Sequence, residues 1–468
     1  MMNRILHGAA ALRYPMKKTS IDARVLSNGF TTVIHHETIR TSYPNAIWKK
    51  VPVGVRPEIA RTAAYFATRH LALSNPAELA YNFPPPMGRL VADYGFFYSM
   101  ADASVEFPRK KLTTARVLQP VYNAEFSIAF RGIPPSTKTR TSFSIHPRSV
   151  TIPISFGKDS LLTFALSREL GLTPHPVFIE EPTCPYQNRK KRELSRQFNA
   201  EFSPGITRFP NALGSLRQSG DMMWGWDMLL AQYTMLLLPF VYANKSAHFF
   251  WSNEKSTNEH EVDRDGYIIS PTHEQSVQWV LHLNNLYRAV GVPTVVSSLL
   301  EPIHELFILS ILHKRYPDIG KYQLSCDGER TRYRWCGNCF ECARVYIFFA
   351  ALGIDPASVG LMGTMLAKSK KNLFYLFSDG DGPRSLDILF QSYPERLLAF
   401  YLAHKRGVKG ELMDLFVKTL LPHTEKRKSK LFAKYFAIHE MQTIPPQLQP
   451  PLRRIYEEEL ARLKKEIT

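Results

Sequence analysis

The sequence predicts an α/β protein whose centre is a doubly wound parallel sheet. Between residues 146 and 360, apolar runs typical of strands alternate with stretches typical of helices. One apolar run passes through a short glycine-containing loop, residues 155–160, directly into a helical pattern. Near the end of the same region, four of the five cysteines of the chain lie close together. The alternation indicates the fold class, and the loop and the cysteines are the two candidate sites.

The elements of this central region follow from their local patterns. Short β-branched and aromatic runs predict the strands, which we expect at 150–155, 176–179, 247–251 and 294–297. Helical spacing predicts helices at 160–170 and near 225–238, 273–290 and 302–314. Strand and helix in this order form the βαβ pattern of a parallel sheet, in which ligands bind beyond the carboxyl ends of the strands. Nucleotide and substrate contacts, or helix caps, are therefore expected from the polar residues after two strands: Glu180, Glu181, Asn253 and Glu254.

The regions on either side have different patterns. Residues 1–145 carry short β-like runs, for example at 30–35 and 126–130, separated by proline and glycine. They predict a mixed or β-rich N-terminal domain of its own. Residues 361–468 predict a helical, basic C-terminal region, with a linker at 445–451 before the last helix.

The composition fits a sizeable enzyme with an excess of positive charge. Of 468 residues 44% are apolar, and the formal net charge is +18. Such a charge attracts anions, which include nucleotides, nucleotide-linked substrates and nucleic acids. Because no aromatic-interleaved basic stretch is found, we do not expect a nucleic acid partner. The longest apolar runs are about ten residues and a membrane span needs about 20, so we expect a cytoplasmic protein without a membrane partner.

The loop at 155–160 has the residues of an oligophosphate site. A loop between a buried strand and a helix start points backbone N–H groups and the positive end of the helix dipole at one place. Gly157 lets the backbone approach a phosphate, and Lys158 supplies a positive charge. Asp159 can hold Mg²⁺, and the hydroxyls of Ser155 and Ser160 can donate hydrogen bonds. A strand–turn–helix without a ligand is the alternative. The Walker A pattern Gly-x-x-x-x-Gly-Lys-Ser/Thr is absent from the sequence, which disfavours γ-phosphate chemistry.

The cysteines predict a structural zinc site. Three of them are separated by two residues each and the fourth lies nearby: Cys326, Cys336, Cys339 and Cys342. Four thiolates close a tetrahedron around Zn²⁺ and leave no position for a water molecule. An iron–sulfur cluster and disulfides are the alternatives, and a reducing cytosol disfavours the disulfides.

The loop resembles the pyrophosphate loop, Ser-Gly-Gly-x-Asp-Ser, of the PP-loop ATP pyrophosphatase superfamily, with Phe156 in place of the first glycine. Together with the four cysteines it is similar to the branch that contains QueC. The segments 155–163, 177–182, 252–256 and 300–305 are further similar to the MurL family of ATP-dependent epimerases. That family acts on UDP-N-acetylmuramoyl-L-alanyl-L-glutamate.

The resemblance implies a fold, a reaction and a set of site residues. The fold is an adenine nucleotide alpha hydrolase-like core at 146–360, and the reaction cleaves ATP to AMP and diphosphate while a carboxylate is adenylated. It implies that ATP is bound by residues 155–160, namely Ser155, Phe156, Gly157, Lys158, Asp159 and Ser160, and we add Glu180 at the following strand end. Asp159 would hold Mg²⁺, and the cysteines would hold structural Zn²⁺. Lys158 and Asp159 would act in catalysis, with Glu254 and His304, or Glu305, as candidates for moving the proton. Cys184 is not expected to be catalytic, because it is the one cysteine outside the cluster and a two-thiol scheme needs two.

Three functions from different classes therefore remain open. The leading expectation is the epimerase, with a nucleotide-linked peptide as its substrate. The second is a QueC-like enzyme that adenylates another carboxylate or a tRNA base, in amidation, nitrile formation or thiolation. The third is a non-catalytic ATP-binding module.

Overall fold

The computed structural model describes residues 18–74, 78–99, 113–125, 127–133, 143–218, 226, 228–262, 265–326, 328, 333–377 and 392–467. Two five-stranded sheets and a two-stranded ribbon are present in this part of the chain. Helices cover much of the rest. The prediction of an α/β protein is confirmed.

The N-terminal region contains a mixed sheet. Its strands are β1 (Lys18–Leu26), β2 (Gly29–Ile34), β3 (Glu37–Ser42), β4 (Glu78–Tyr81) and β5 (Ile128–Phe130). In the order β3-β2-β1-β4-β5, the first three strands are antiparallel, and the last two run parallel to β1. The helices of this region are α1 (Asn45–Trp48), α2 (Arg56–Thr68), α3 (Leu71–Ser74), α4 (Arg89–Ser99) and α5 (Thr114–Glu125).

The central region contains an all-parallel sheet. Its strands are β6 (His146–Pro153), β7 (Thr173–Glu180), β8 (Thr207–Pro210), β9 (Ser246–Trp251) and β12 (Val295–Ser298). Between β9 and β12 the chain forms the separate ribbon of β10 (Glu261–Val262) and β11 (Ile268–Ile269). The sheet order is β12-β9-β6-β7-β8. The chain therefore starts at β6, proceeds to one edge, and returns to the other side of β6. This reversal is the place where doubly wound sheets bind ligands, and β6 leads directly into the loop at 155–160.

Helices pack on both faces of this sheet. They are α6 (Lys158–Glu169), α7 (Pro185–Phe202), α8 (Leu229–Asn244), α9 (Val277–Ala289), α10 (Glu305–Lys314), α11 (Pro317–Gly320) and α12 (Phe340–Leu352). One apolar core joins α6, α7, α10 and α12 to the sheet. A second joins α8 and α9 to the opposite face and includes residues of the N-terminal sheet. In this core, the hydroxyl of Tyr43, which follows β3, donates 2.9 Å to the carbonyl of Leu236. The N-terminal region thus shares its core with the central region.

The C-terminal region is helical, as predicted. Its helices are α13 (Ser392–Lys405), α14 (Glu411–Thr419), α15 (Leu421–Tyr435) and α16 (Gln449–Ile467). The linker expected at 445–451 is only partly one, because α16 already begins at Gln449. Pro450 and Pro451 then lie in the first turn, where a helix needs no N–H donor. Among the described helices, none is both long enough and apolar enough to cross a membrane.

Candidate active site

The loop after β6 bends at Phe156, whose backbone has a left-handed conformation with φ of 60°. Glycine adopts this conformation most readily, and glycine is the residue that the pyrophosphate-loop pattern has here. The Phe156 ring is fully buried and packs edge-on against Phe178 and Phe198, with ring centroids 6.4 and 5.8 Å apart. Its side chain therefore belongs to the apolar core rather than to the ligand-facing side of the loop.

Two hydroxyls shape the loop. The Ser160 Oγ accepts a hydrogen bond of 3.2 Å from the N–H of Ser155 and donates one of 3.1 Å to the carbonyl of Gly157. The Ser155 Oγ accepts one of 3.3 Å from the N–H of Gly157. These bonds hold the chain between the strand and the helix in a tight turn.

Helix α6 has an N-terminus that is open to an anion. The helix begins at Lys158, with Gly157 as its N-cap residue, and no side chain of the described residues caps it. Its first N–H groups have no partner inside the helix, and the dipole adds a partial positive charge there. An oligophosphate can be bound at such a place.

A buried ion-pair group lies at the start of this helix. The Lys158 Nζ is 2.7 Å from one Asp159 oxygen and 3.7 Å from the Glu305 Oε1. The Lys158 and Glu305 side chains are 7% and 4% exposed, whereas Asp159 is 30% exposed and accessible to a cation. Burial acts to lower the pKa of Lys158, but the carboxylates of Asp159, Glu305 and Glu254 outweigh it and raise the pKa above its ordinary value. Lys158 is therefore a permanent positive charge.

Glu254 follows β9 and faces the same group. Its Oε1 accepts 2.8 Å from the Ser256 hydroxyl, and its Oε2 is buried without a hydrogen-bond partner among the described residues. Burial raises the pKa of Glu254 to about 7, with Lys158 opposing the shift and Glu305 adding to it. A carboxyl with this pKa can accept and release a proton near neutral pH.

His304 precedes α10 and is fully buried. Its ring lies 4.8 Å from the ring of Tyr435 and 5.1 Å from that of His439. Burial, followed by the charges of His439 and Lys434, lowers the pKa of His304 to about 2. The imidazole is therefore neutral at physiological pH and packs against the C-terminal region.

The C-terminal region forms hydrogen bonds with the segment 299–306, which runs from the end of β12 into the first turn of α10. The Tyr456 hydroxyl donates 2.7 Å to the carbonyl of Leu299, and the N–H of His439 donates 2.8 Å to the carbonyl of Pro302. Further contacts join the Glu301 carboxylate to the N–H groups of Gln442 and Thr443. This segment carries Glu305, so the C-terminal region positions one side of the ion-pair group.

Sequence reasoning missed Glu395, which belongs to this arrangement. It is 2% exposed, and its Oε1 accepts 2.7 Å from the N–H of Leu306 in the first turn of α10. Burial raises the pKa of Glu395, and the charges of Glu254 and Glu305 raise it further. Its sequence neighbourhood, a helix in a basic region, contains no signal that would have revealed it.

The acids at the end of β7 are occupied by arginines. Glu180 is contacted by Arg192 at 2.8 Å and by Arg208 at 2.6 Å, and both guanidinium groups are about half exposed. This strand end thus presents two arginines to solvent. Glu181 accepts hydrogen bonds from three side chains: Asn211, Arg217 and Tyr233.

The four cysteines come together as the sequence predicts. The Sγ atoms of Cys326, Cys336, Cys339 and Cys342 all lie within 4.8 Å of one another. The pairs Cys336–Cys342 and Cys339–Cys342 are 3.8 and 3.5 Å apart. Zn–S bonds of about 2.3 Å in a tetrahedron place sulfur atoms about 3.8 Å apart. Backbone N–H groups also donate to the sulfurs, at 3.1 Å from Cys336 to the Cys326 Sγ. The donor set fits a metal ion such as zinc.

The cysteine site adjoins the loop at 155–160. Leu324, two residues before Cys326, donates its N–H 2.7 Å to the carbonyl of Phe156. Helix α12, which starts after Cys339, carries Arg344, and its guanidinium is 3.3 Å from the Glu305 Oε2. Metal site and ion-pair group are thus joined through one loop and one helix.

Comparison with protein-family models, with curated proteins and with solved structures finds no match to this chain. The function is therefore inferred from the site and from the resemblance of its motifs.

Proposed function

We propose that this protein is an ATP-dependent epimerase of the MurL type. It would invert the terminal L-glutamate of UDP-N-acetylmuramoyl-L-alanyl-L-glutamate through an acyl-adenylate, in peptidoglycan precursor synthesis. The observation that carries the proposal is the combination of an open helix N-terminus at Lys158 with a buried, near-neutral carboxyl at Glu254. The first can hold the phosphates of ATP, and the second can move a proton.

In the first step, an oxygen of the substrate α-carboxylate attacks the α-phosphorus of ATP. The bond to the β-phosphate oxygen breaks, and diphosphate leaves. The N–H groups of α6 and the charge of Lys158 stabilise the negative charge on the phosphates. Mg²⁺ usually keeps several waters and binds one or two carboxylates with substrate phosphates, and the half-buried Asp159 is suited to that role.

In the second step, the Glu254 carboxylate removes the Cα proton. A free carboxylate resists this loss because a second negative charge would build up beside the first. The acyl-adenylate has no such charge on its carbonyl, so the carbanion is delocalised into it. A proton that comes from solvent is added to the opposite face and gives the D-configuration, and Glu254 releases the proton it removed to solvent. Water then attacks the acyl carbon, and AMP leaves.

The same loop would serve an enzyme that adenylates another acceptor. Such an enzyme needs a nitrogen or sulfur donor to attack the adenylate. Cys184 is the one cysteine outside the cluster, and sulfur delivery commonly uses more than one thiol. This makes thiolation the weaker variant of that alternative.

The test is a reaction in D₂O with Mg-ATP and the UDP-linked dipeptide. We expect AMP, diphosphate and D-glutamate with deuterium at Cα. The variant Glu254→Gln should still release diphosphate but lose deuterium incorporation, whereas Glu457→Gln, on the exposed face of α16, should behave as the unmodified protein. Diphosphate release without inversion would move the assignment to another acceptor reaction. No substrate-dependent turnover would refute the epimerase.

A further inference from the structure

A group of basic residues lies beside the backbone segment 334–337, which contains Cys336. We call it the knuckle surface, and it consists of Arg189, Lys190, Arg334 and Lys370. Lys190 comes from the first turns of α7 and donates 3.1 Å to the carbonyl of Arg334. Lys370 donates 2.8 Å to the carbonyl of Gly337. Two separate elements therefore bring their ammonium groups to one short stretch of backbone.

Among the described residues, no acid neutralises the positive charges of this surface. In the described residues, no carboxylate forms an ion pair with any of the four members. Their hydrogen bonds run to neutral oxygens, such as that of the Gln323 carbonyl, which accepts 2.8 Å from Arg334. Arg189 and Lys190 lie 4.6 and 5.1 Å from the centroid of the same Tyr186 ring. Like charges held this close without a counter-charge favour the binding of an anion.

The surface adjoins the nucleotide loop but is separate from it. Arg334 binds the carbonyl of Gln323, and the next residue, Leu324, donates its N–H to the carbonyl of Phe156. One peptide unit thus links the two places. If the helix N-terminus at Lys158 takes the phosphates of ATP, the knuckle surface is left for a second phosphate-bearing group.

The chemistry of the surface fits a single nucleoside diphosphate. Arginine matches phosphate oxygens with its planar fork, and lysine adds point charges, so four cations suit two phosphates. Tyr333 directly precedes Arg334 in the chain, and its side chain is 58% exposed. One exposed ring offers a stacking face for one base, whereas single-stranded RNA is held by a series of aromatic rings along a groove.

We propose that Arg189, Lys190, Arg334 and Lys370 bind the diphosphate of the nucleoside-diphosphate part of the substrate. The inference rests on the proposed function, because that function supplies a nucleotide-linked substrate. The knuckle surface would anchor the nucleotide end, while the peptide end reaches the group around Lys158.

The test measures binding rather than turnover. UDP is titrated calorimetrically into the protein whose ATP site is first saturated with Mg²⁺ and α,β-methylene-ATP, which cannot be cleaved between these phosphates. The variants are Lys190→Gln, Lys370→Gln and the double variant, since glutamine keeps an N–H donor for the backbone carbonyl and removes the charge. We expect each to weaken UDP binding about fivefold and the pair about 20-fold, the size of a partly exposed ion pair. Uridine should not bind, and UDP affinity should fall as salt rises.

Matched controls separate the charge effect from damage to the fold. Lys426→Gln and Lys430→Gln, on the exposed face of α15, should leave UDP binding unchanged. Zinc content and melting temperature of the Lys190 and Lys370 variants should equal those of the unmodified protein.

The outcomes are distinct. Unchanged UDP binding in the double variant would overturn the inference, as would an unmodified protein that binds the ATP analogue but not UDP. Single-stranded RNA that binds more tightly than UDP and is lost in the same variants would assign the surface to nucleic acid instead. Charge-dependent UDP binding in a protein that fails to invert glutamate would support the inference and refute the epimerase.

Discussion

Glu395 in helix α13 accepts a hydrogen bond of 2.7 Å from the backbone N–H of Leu306, 89 residues earlier in the chain. Leu306 is the second residue of α10, and the first is Glu305, which faces Lys158. The carboxyl oxygen thus fixes the start of the helix that completes the ion-pair group. A region that sequence patterns describe only as helical and basic is part of the candidate active site.

Substitution of Glu395 should separate its hydrogen bond from its charge. In Glu395→Gln the amide oxygen still accepts from Leu306, and we expect the free energy of unfolding to change by less than about 1 kcal/mol at neutral pH. Glu395→Ala leaves the buried N–H without a partner and opens a cavity, so we expect a loss of about 2–4 kcal/mol. Urea unfolding measures both. Equal losses in the two variants would show that the charge, not the hydrogen bond, matters.

Glu254 should control the pH dependence of proton exchange. Because burial raises its pKa to about 7, the basic form becomes more populated as pH increases through that value. We expect deuterium incorporation at Cα to rise between about pH 6 and pH 8 and then level off. Removal of the base in Glu254→Gln should lower this exchange by about 10²-fold or more. Mass spectrometry of the glutamate measures it, and an unchanged profile in the variant would assign the base elsewhere.

Glu274 should make stability depend on pH. Burial raises its pKa to about 7, while the N–H of Leu230 and then Arg217 act to lower it. Its ordinary value is 4.5, so between these two values the folded protein binds more protons than the unfolded chain. The stability that the raised pKa of Glu274 contributes is fully present below about pH 4.5 and is lost as pH rises toward 7. The variant Glu274→Gln should therefore gain stability relative to the unmodified protein at pH 8, by about 1–3 kcal/mol, but not at pH 5. Denaturant unfolding at both pH values gives the difference, and a gain of the same size at both would contradict the assignment.

Loss of the metal site should loosen the loop at 155–160. Cys339→Ser removes one thiolate and should lower bound zinc, the melting temperature and the affinity for ATP together, because Leu324 joins this site to Phe156. Cys184→Ser is the matched control, since Cys184 lies outside the cluster. Zinc analysis, thermal unfolding and nucleotide titration measure the three effects. Full ATP affinity in a zinc-free variant would show that the two sites are independent.

Phe156→Gly should destabilise the protein even though it matches the pyrophosphate-loop pattern more closely. Glycine relieves the positive φ of 60° at this position, which is worth about 1 kcal/mol. The buried ring that is lost contributes about 3–5 kcal/mol. We expect a net loss of about 2–4 kcal/mol in chemical unfolding. A variant more stable than the unmodified protein would show that the strain outweighs the packing.

The sequence was sufficient where pattern and packing agree. Strands β6, β7, β9 and β12 lie close to their predicted positions, because buried parallel strands are continuous apolar runs. Helices α6, α8, α9 and α10 also lie close to theirs. Helix α7 was missed, since it buries few apolar side chains, chiefly Leu194 and Phe198. Strand β8 was missed because only one of its four residues, Phe209, is buried, so no apolar run marks it.

The candidate site was predictable only in its local parts. The loop at 155–160 and the cysteines are short motifs, and both form as expected. The contacts of Glu395 with Leu306 and of Arg344 with Glu305 join distant segments, and such pairings depend on tertiary packing that no local pattern encodes. For the same reason, the sequence could not show that the His304 ring packs against Tyr435.

The hydrogen bonds between the C-terminal region and residues 299–306 affect when the site can form during synthesis. Residues 395, 439 and 456 supply its contacts, and they leave the ribosome long after β6 and its loop. A nascent chain can form the parallel sheet early, because domains generally fold as units during synthesis. It cannot fix Glu305 beside Lys158 until the residues up to 456 have emerged. The ion-pair group is thus completed later in synthesis than the sheet that carries it.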